Sequence, residues 1–203
     1  MSNSHETCDG FGDTGPRAAD DSQLVALMLR VREGDEGAFR ELVEATEDRL
    51  FGTVAKMLGG VEGAEDLAQR VYLRIWMARA RYERRSKFST WMFSIMHRLV
   101  LNERRSRARR SAVFRAPSAD ETPREPVSRD FPSDAVAAGE LAAAIDAALA
   151  DLPEEQRTAM VLRRYDEMPY EEIAEVLGTS VSAVRSLLFR ARETLKSKLR
   201  AWL

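Results

Sequence analysis

Residues 170–192 read YEEIAEVLGTSVSAVRSLLFRAR, and the fold turns on this stretch. Ile173, Val176 and Leu177 fall on one face of a short helix, and Ala174 is small enough to let a second helix approach closely. Gly178 can take the left-handed conformation that ends a helix, and Ser180 can cap the next one. Val184, Leu188, Ala191, Leu195 and Leu199 then form the inner stripe of a longer helix. This is a helix-turn-helix pattern. It leaves Ser182, Arg185, Ser186, Phe189, Arg190 and Arg192 for other faces. An exposed helix start carrying Arg and Ser suits a DNA major groove. A plain helical hairpin with solvated arginines has the same spacing, so the rest of the chain has to weigh in.

Upstream of the motif the periodicity is helical almost throughout. Ser22 can cap a helix in which Leu24, Leu27, Met28 and Val31 share a face, with a stop at Gly34. Phe39, Leu42, Val43, Leu50, Val54 and Met57 read as the stripe of one second helix, halted by Gly59 and Gly60. A third helix, about 62–79, carries Leu67, Val71, Ile75 and Trp76. The fourth begins in KFSTWMFSIMHRLVLNERRSRARR, residues 87–110, which opens with aromatics and ends in arginine. Four amphipathic helices can bury one another's stripes in a bundle.

From 111 to 133 the texture changes. Four of the seven prolines lie there among Ser, Asp, Glu and Arg, so a flexible linker is expected. Helical spacing resumes at 134 with Leu141, Ile145, Leu149 and Leu152. Pro153 suits the first turn of the helix that carries Ala159, Met160, Leu162 and Tyr165. β-branched alternation is absent. The expected class is all-α: two small helical bundles joined by a flexible linker, the C-terminal one containing the helix-turn-helix. The expected parts are a disordered acidic tail at 1–20, a bundle at 21–110, the linker at 111–133 and a second bundle at 134–203.

The net charge of −2 hides strong segregation. Residues 1–50 hold twelve Asp/Glu and five Arg, whereas residues 79–110 hold eleven Lys/Arg and two Glu. A second basic segment, 185–200, holds six Lys/Arg and one Glu. Two separate basic segments suggest two contacts with a polyanion, although two solvated helix faces would carry the same charge. No apolar run approaches the roughly 20 residues that span a bilayer, so no membrane insertion is expected. No signal peptide is legible, and a cytoplasmic protein is the simplest expectation. Cys8 is the sole cysteine and His5 and His97 are the only histidines, which argues against a disulfide, a metal site and most catalytic constellations. With no Gly-rich phosphate loop, HExxH or Ser/His/Asp set either, neither enzyme chemistry nor a cofactor is expected.

Four stretches in order carry a specific resemblance: GDEGAFRELV from Gly34, AEDLAQRVYLRIW from Ala64, FSTWMFSIMHRLVLNERR from Phe88, and LPEEQRTAMVLRRYDEMPYEEIAEVLGTSVSAVRSLLFRAR from Leu152. Together they resemble bacterial RNA polymerase sigma factors of the extracytoplasmic-function (ECF) type. The first three resemble region 2 of that family and the last resembles region 4. The resemblance implies a subunit that directs core RNA polymerase to promoters and helps melt them. It implies contacts with promoter DNA and with the beta-prime coiled coil and beta flap of core polymerase, and it makes an anti-sigma protein a possible partner. A helix-turn-helix regulator acting without polymerase is the alternative, but it would leave the aromatic-basic stretch unused.

By resemblance, the segment 79–89, RARYERRSKFS, is a base-capturing loop for the melted minus-ten strand. Single-stranded DNA needs positive charge for its backbone and aromatic or pocketed surfaces for its bases. The implied minus-ten set is Tyr82, Arg84, Arg85, Lys87, Phe88, Arg98, Asn102, Arg104 and Arg105, with Tyr82 as the exposed aromatic. Trp91, Phe93 and Ile95 read instead as core. The implied minus-thirty-five set is Ser182, Arg185, Ser186, Phe189 and Arg190. The implied core-polymerase surface is Asp66, Gln69, Arg70 and Leu73. Three positions depart from the family pattern: Arg98, where a small polar residue is usual, Asn102, where Asp is frequent, and Leu187, where many members carry a base.

Overall fold

The computed structural model describes residues 21–113 and 133–202, and its described residues contain helices and turns but no strand. The tail at 1–20 and most of the linker, 114–132, lie outside them. Among the described residues nine α-helices follow in order: α1 Asp21–Arg32, α2 Glu36–Glu44, α3 Glu47–Leu58, α4 Ala64–Ala78, α5 Phe88–Val113, α6 Ser133–Ala150, α7 Glu154–Arg164, α8 Tyr170–Leu177 and α9 Val181–Lys198. Short 3-10 turns occupy Arg79–Arg81 and Arg200–Trp202.

Helices α1–α5 form the N-terminal bundle around Leu24, Met28, Leu42, Leu50, Val54, Leu67, Val71 and Ile75, all buried. Its longest member, α5, contributes Met92, Phe93, Met96, Leu99 and Val100, one helical face. Helices α6–α9 form the C-terminal bundle around Leu149, Leu152, Val161, Leu162, Ile173, Val184 and Leu188.

Three sequence expectations change. The second helix is two, because Thr46 interrupts it. The Thr46 hydroxyl donates to the Leu42 carbonyl at 2.7 Å and lies 2.9 Å from the Tyr72 hydroxyl. A hydroxyl that bonds back four residues competes with the backbone ladder. α3 then restarts with Glu47 and Asp48 in its first turn, where acidic groups suit the helix dipole. Ser22 is not a cap, since α1 already includes it from Asp21. The basic helix runs three residues past 110, to Val113, into the expected linker.

The two bundles touch. α8 packs on α5, and α6 and α7 pack on α3, so one continuous core runs through both. Arg157 crosses this seam. It is 2% exposed, yet its guanidinium donates to the carbonyls of Leu149 (2.8 Å), Ala150, Leu152 (2.9 Å) and, from the other bundle, Met57 (3.1 Å). It therefore ties together the C-terminal ends of α6 and α3, where unpaired carbonyls and a negative dipole end favour a cation. His97 on α5 is buried against Thr158 of α7, with Nδ1 and Oγ1 3.5 Å apart. Burial pushes its pKa below the ordinary imidazole value.

Candidate nucleic-acid interface

The helix-turn-helix forms as its sequence dictates. Gly178 ends α8 at φ +63°, in the left-handed region that favours glycine. The Ser180 side chain accepts from the Ala183 N–H at 3.2 Å and caps α9. Val184, Leu187, Leu188 and Ala191 are buried. Leu187 is thus a packing residue, which gives a physical reason for the missing base there. Ser182, Arg185, Ser186, Phe189 and Arg190 are exposed together on the opposite side. Phe189 leaves 65% of its surface open, unusual for an aromatic that only serves a core. With Tyr170 and Arg192, four of these five line an open groove along α9. The backbone holds this face in register: Ser186 donates to the Ser182 carbonyl at 3.1 Å and Arg190 Nε to the Ser186 carbonyl at 3.3 Å.

The nine residues assigned by resemblance to minus-ten DNA divide into three groups. Arg84, Arg85, Arg98, Asn102 and Arg105 are exposed, and the last three share one face of α5. Lys87 and Arg104 face the C-terminal bundle, Lys87 at 2.8 Å from Glu172 and Arg104 at 4.0 Å from Glu154. The hydrogen bond that Lys87 donates to Glu172, and the charge of that carboxylate, hold the Lys87 ammonium above its ordinary range. Tyr82 and Phe88 are buried, at 1% and 0% exposure. The expectation of an exposed aromatic at Tyr82 therefore fails. Its ring sits 5.1 Å from Trp91 and 6.3 Å from Phe88, in an aromatic cluster that anchors the loop to α5. Burial pushes its phenol up, Asp21 adds to that shift, and Arg84 counters it. Phe93 is core as expected, and Trp91 and Ile95 are half-buried against it. What the loop offers to solvent is charge, carried by Arg81, Arg84, Arg85 and Lys87, with Glu83 paired to Arg85 at 2.7 Å.

Glu103 lies outside every residue set expected from the sequence. On α5 it accepts from Arg107 at 3.3 Å and from Arg110 at 3.1 Å, and across to α4 from Arg70 at 3.2 Å. Arg107 also reaches the Glu62 carbonyl at 3.0 Å. One carboxylate thus organises three arginines and leaves Arg105 to the outer face. The signal was present as a lone acid in a basic run at i+4 from Arg107.

On α4, Asp66, Gln69 and Leu73 are exposed, while Arg70 is half-buried between Asp66 at 3.8 Å and Glu103. Met77, 74% exposed, extends the ridge one turn beyond Leu73. Helical spacing from Leu73 was the signal for it.

Comparison with known proteins accounts for this arrangement. Residues 42–110 match the family model for sigma-70 region 2, and residues 142–195 match that for sigma-70, region 4. The chain is similar to the ECF RNA polymerase sigma factor SigW of Bacillus subtilis, 31% identical over 177 residues that cover 85% of this chain and 95% of SigW. It is also 31% identical to the RNA polymerase sigma-H factor of Pseudomonas aeruginosa over 183 residues, covering 88% of this chain and 93% of that protein. In fold it resembles CnrH, solved in complex with the cytosolic domain of CnrY, with a TM-score of 0.65 at 23% identity over 90% of this chain and 99% of CnrH. It likewise resembles the sigma factor RpoE from Bartonella quintana, solved with the anti-sigma factor NepR, with a TM-score of 0.63 at 21% identity over 80% of this chain and 96% of that one. Similarity to SigW and sigma-H over 85% and 88% of the chain, together with both region models in their expected order, places the chain in the ECF RNA polymerase sigma factors of the sigma-70 family.

Proposed function

We propose that this chain acts as a non-catalytic specificity subunit that takes core RNA polymerase to its promoters and helps open them. The observation that carries the reading is the pairing, in one chain, of two separate cationic surfaces. One is the Arg98–Asn102–Arg105 face of α5 with Arg84 and Arg85 beside it, and the other is the Arg185–Phe189–Arg190 face of α9. We assign the first, within 21–110, to the minus-ten strand and the second, within 134–203, to the minus-thirty-five duplex. Charge follows the phosphates in both places. Bidentate arginine contacts in a major groove add base choice at α9. The exposed ridge of α4, Asp66, Gln69, Leu73 and Met77, is assigned to docking on the beta-prime coiled coil. Region 4 is assigned to the beta flap.

A helix-turn-helix regulator would use α8 and α9 only, and would leave the α4 ridge and the basic face of α5 without a role. No described helix is long and apolar enough to cross a membrane. The assigned partners, polymerase and promoter, put the protein in the cytoplasm. CnrH and RpoE were each solved with a bound protein, and RpoE's is an anti-sigma factor, so a protein of that class is a candidate partner here.

The decisive experiment is in vitro transcription with core polymerase on a pool of genomic promoters. Defined start sites that depend on this protein are the expected result. A folded protein that binds promoter duplex yet yields no polymerase-dependent start would favour the regulator reading.

A further inference from the structure

The basic end of α5 carries charge on two flanks, and only one of them is open. Arg98, Asn102, Arg105 and Arg109 recur at i, i+4, i+7 and i+11, so they share one exposed face. The three arginines of that face have no carboxylate partner among the described residues. Glu103, Arg107 and Arg110 repeat the spacing on the flank turned to α4. At about 100° per residue, Arg107 and Arg110 lie roughly a quarter turn or more round the helix from the open face. One Glu103 oxygen accepts from Arg107 Nε at 3.3 Å and from Arg110 Nη2 at 3.1 Å, and the other accepts from Arg70 at 3.2 Å.

Arg109 and Arg110 are neighbours in sequence and both exposed, and the carboxylate is what separates them. The Arg110 side chain stays 60% exposed, so it has access to a phosphate as soon as Glu103 lets it go. Arg107 is held twice, since its Nη2 also donates to the Glu62 carbonyl at 3.0 Å. Gly63 leaves room for it, because a Cβ there would stand 2.6 Å from that nitrogen. An exposed ion pair contributes little to stability. Its effect on a polyanion is larger, because the carboxylate cancels a cation and repels an approaching phosphate. Non-specific DNA binding counts cations and ignores the face they occupy. Base reading needs one face in register. A helix charged all round would be held on DNA in many rolled orientations, and only one of them reads.

We propose that Glu103 is a specificity-determining residue: by cancelling charge on the flank turned to α4, it makes α5 attract DNA through the Arg98–Asn102–Arg105–Arg109 face alone. The step rests on the assignment of α5 to promoter DNA made above. Glu103 touches no DNA itself and acts through Arg107 and Arg110. Without it the flank gains the attraction of about one further cation, non-specific binding strengthens, and the preference for a promoter over other sequence falls.

The test titrates the full chain against a scrambled DNA duplex by fluorescence anisotropy, over a range of potassium chloride concentrations. Each phosphate neutralised steepens the plot of log affinity against log salt by about 0.9. Arg109→Gln should flatten the slope by about that step, whereas Arg110→Gln, one residue on, should leave it unchanged. Glu103→Gln should steepen the slope by about one step and raise affinity several-fold. Arg110→Gln placed in that background should then take the gain away. A Glu103 that only supported the fold would weaken binding when replaced, so a folded Glu103→Gln chain with unchanged or weaker affinity would overturn the proposal. Equal slopes for Arg109→Gln and Arg110→Gln would overturn it too, and that comparison stands even if Glu103→Gln folds poorly. A second arm uses the chain with core polymerase on a promoter recovered from the transcription pool, with the scrambled duplex as competitor. Glu103→Gln should lower promoter preference several-fold, and an unaltered preference counts against the proposal. The slopes need no polymerase. Absence of polymerase-dependent starts in the parent protein therefore sinks the sigma reading, while the slopes still judge Glu103.

Discussion

Tyr82 packs its ring between Trp91 and Phe88, and among the described residues its buried hydroxyl has no hydrogen-bond partner. Two variants follow different terms of the energy. Tyr82→Ala removes a buried ring and should cost about 3–5 kcal/mol, read as a lower urea midpoint. Tyr82→Phe removes only an unpaired buried hydroxyl and should leave stability unchanged or slightly higher. A clear loss for Tyr82→Phe would mean the hydroxyl has a partner. Glu103 gives a prediction in pH. Burial pushes its carboxyl up, but hydrogen bonds from Arg70, Arg107 and Arg110 outweigh that and hold it below the usual range. A depressed carboxyl adds stability that is fully present above the unfolded value, about 4.3, and is lost as pH falls through the folded value. Glu103→Gln should therefore cost about 1 kcal/mol near neutrality and progressively less below about pH 4. Unfolding curves at several pH values check it, and a gap that stays constant would remove the three arginines as the cause.

At the scale of elements, α8 and α9 stand on two local devices that can be tested separately from DNA binding. A Cβ on Gly178 would meet nothing within 4 Å, so Gly178→Ala pays only for the left-handed backbone. That is about 1 kcal/mol, measurable by thermal unfolding. The outer face of α9 predicts function instead. Arg185→Ala and Arg190→Ala should leave unfolding unchanged, since both side chains are exposed. Loss of a bidentate base contact should relax site preference by about 1–3 kcal/mol, whereas loss of a phosphate contact should weaken all sites alike. Selection from random duplex DNA separates the two, and an unaltered preferred site with unaltered affinity for both variants would remove α9 as the reading helix. These elements were legible because caps and stripes are set by residues within a few positions of each other. The break between α2 and α3 was not legible. The stripe stays in phase across Ala45 and Thr46, and the hydroxyl that ends α2 gains its second partner, Tyr72, from another helix.

At the scale of the whole molecule, Arg157 is the residue on which both bundles depend. Its guanidinium serves four carbonyls in a planar fork, and a lysine ammonium cannot reproduce that geometry. Arg157→Ala and Arg157→Lys should both lower stability, the former by about 3 kcal/mol or more, because buried carbonyls are left unpaired. Calorimetry checks this, and an unaltered transition for Arg157→Lys would show that charge alone suffices. The helical class, the order of the two modules, the caps of the helix-turn-helix and the exposed face of α9 are all written in local pattern. All of these follow from periodicity and capping within a few residues. Packing between distant segments is what puts Tyr82 inside, gathers three arginines on Glu103 and seats the C-terminal bundle against Lys87 and Arg104. The difference comes from distance along the chain. Arg49 and Asp166 are 117 residues apart, and no local pattern tells an exposed aromatic or base from one whose partner arrives from the other bundle.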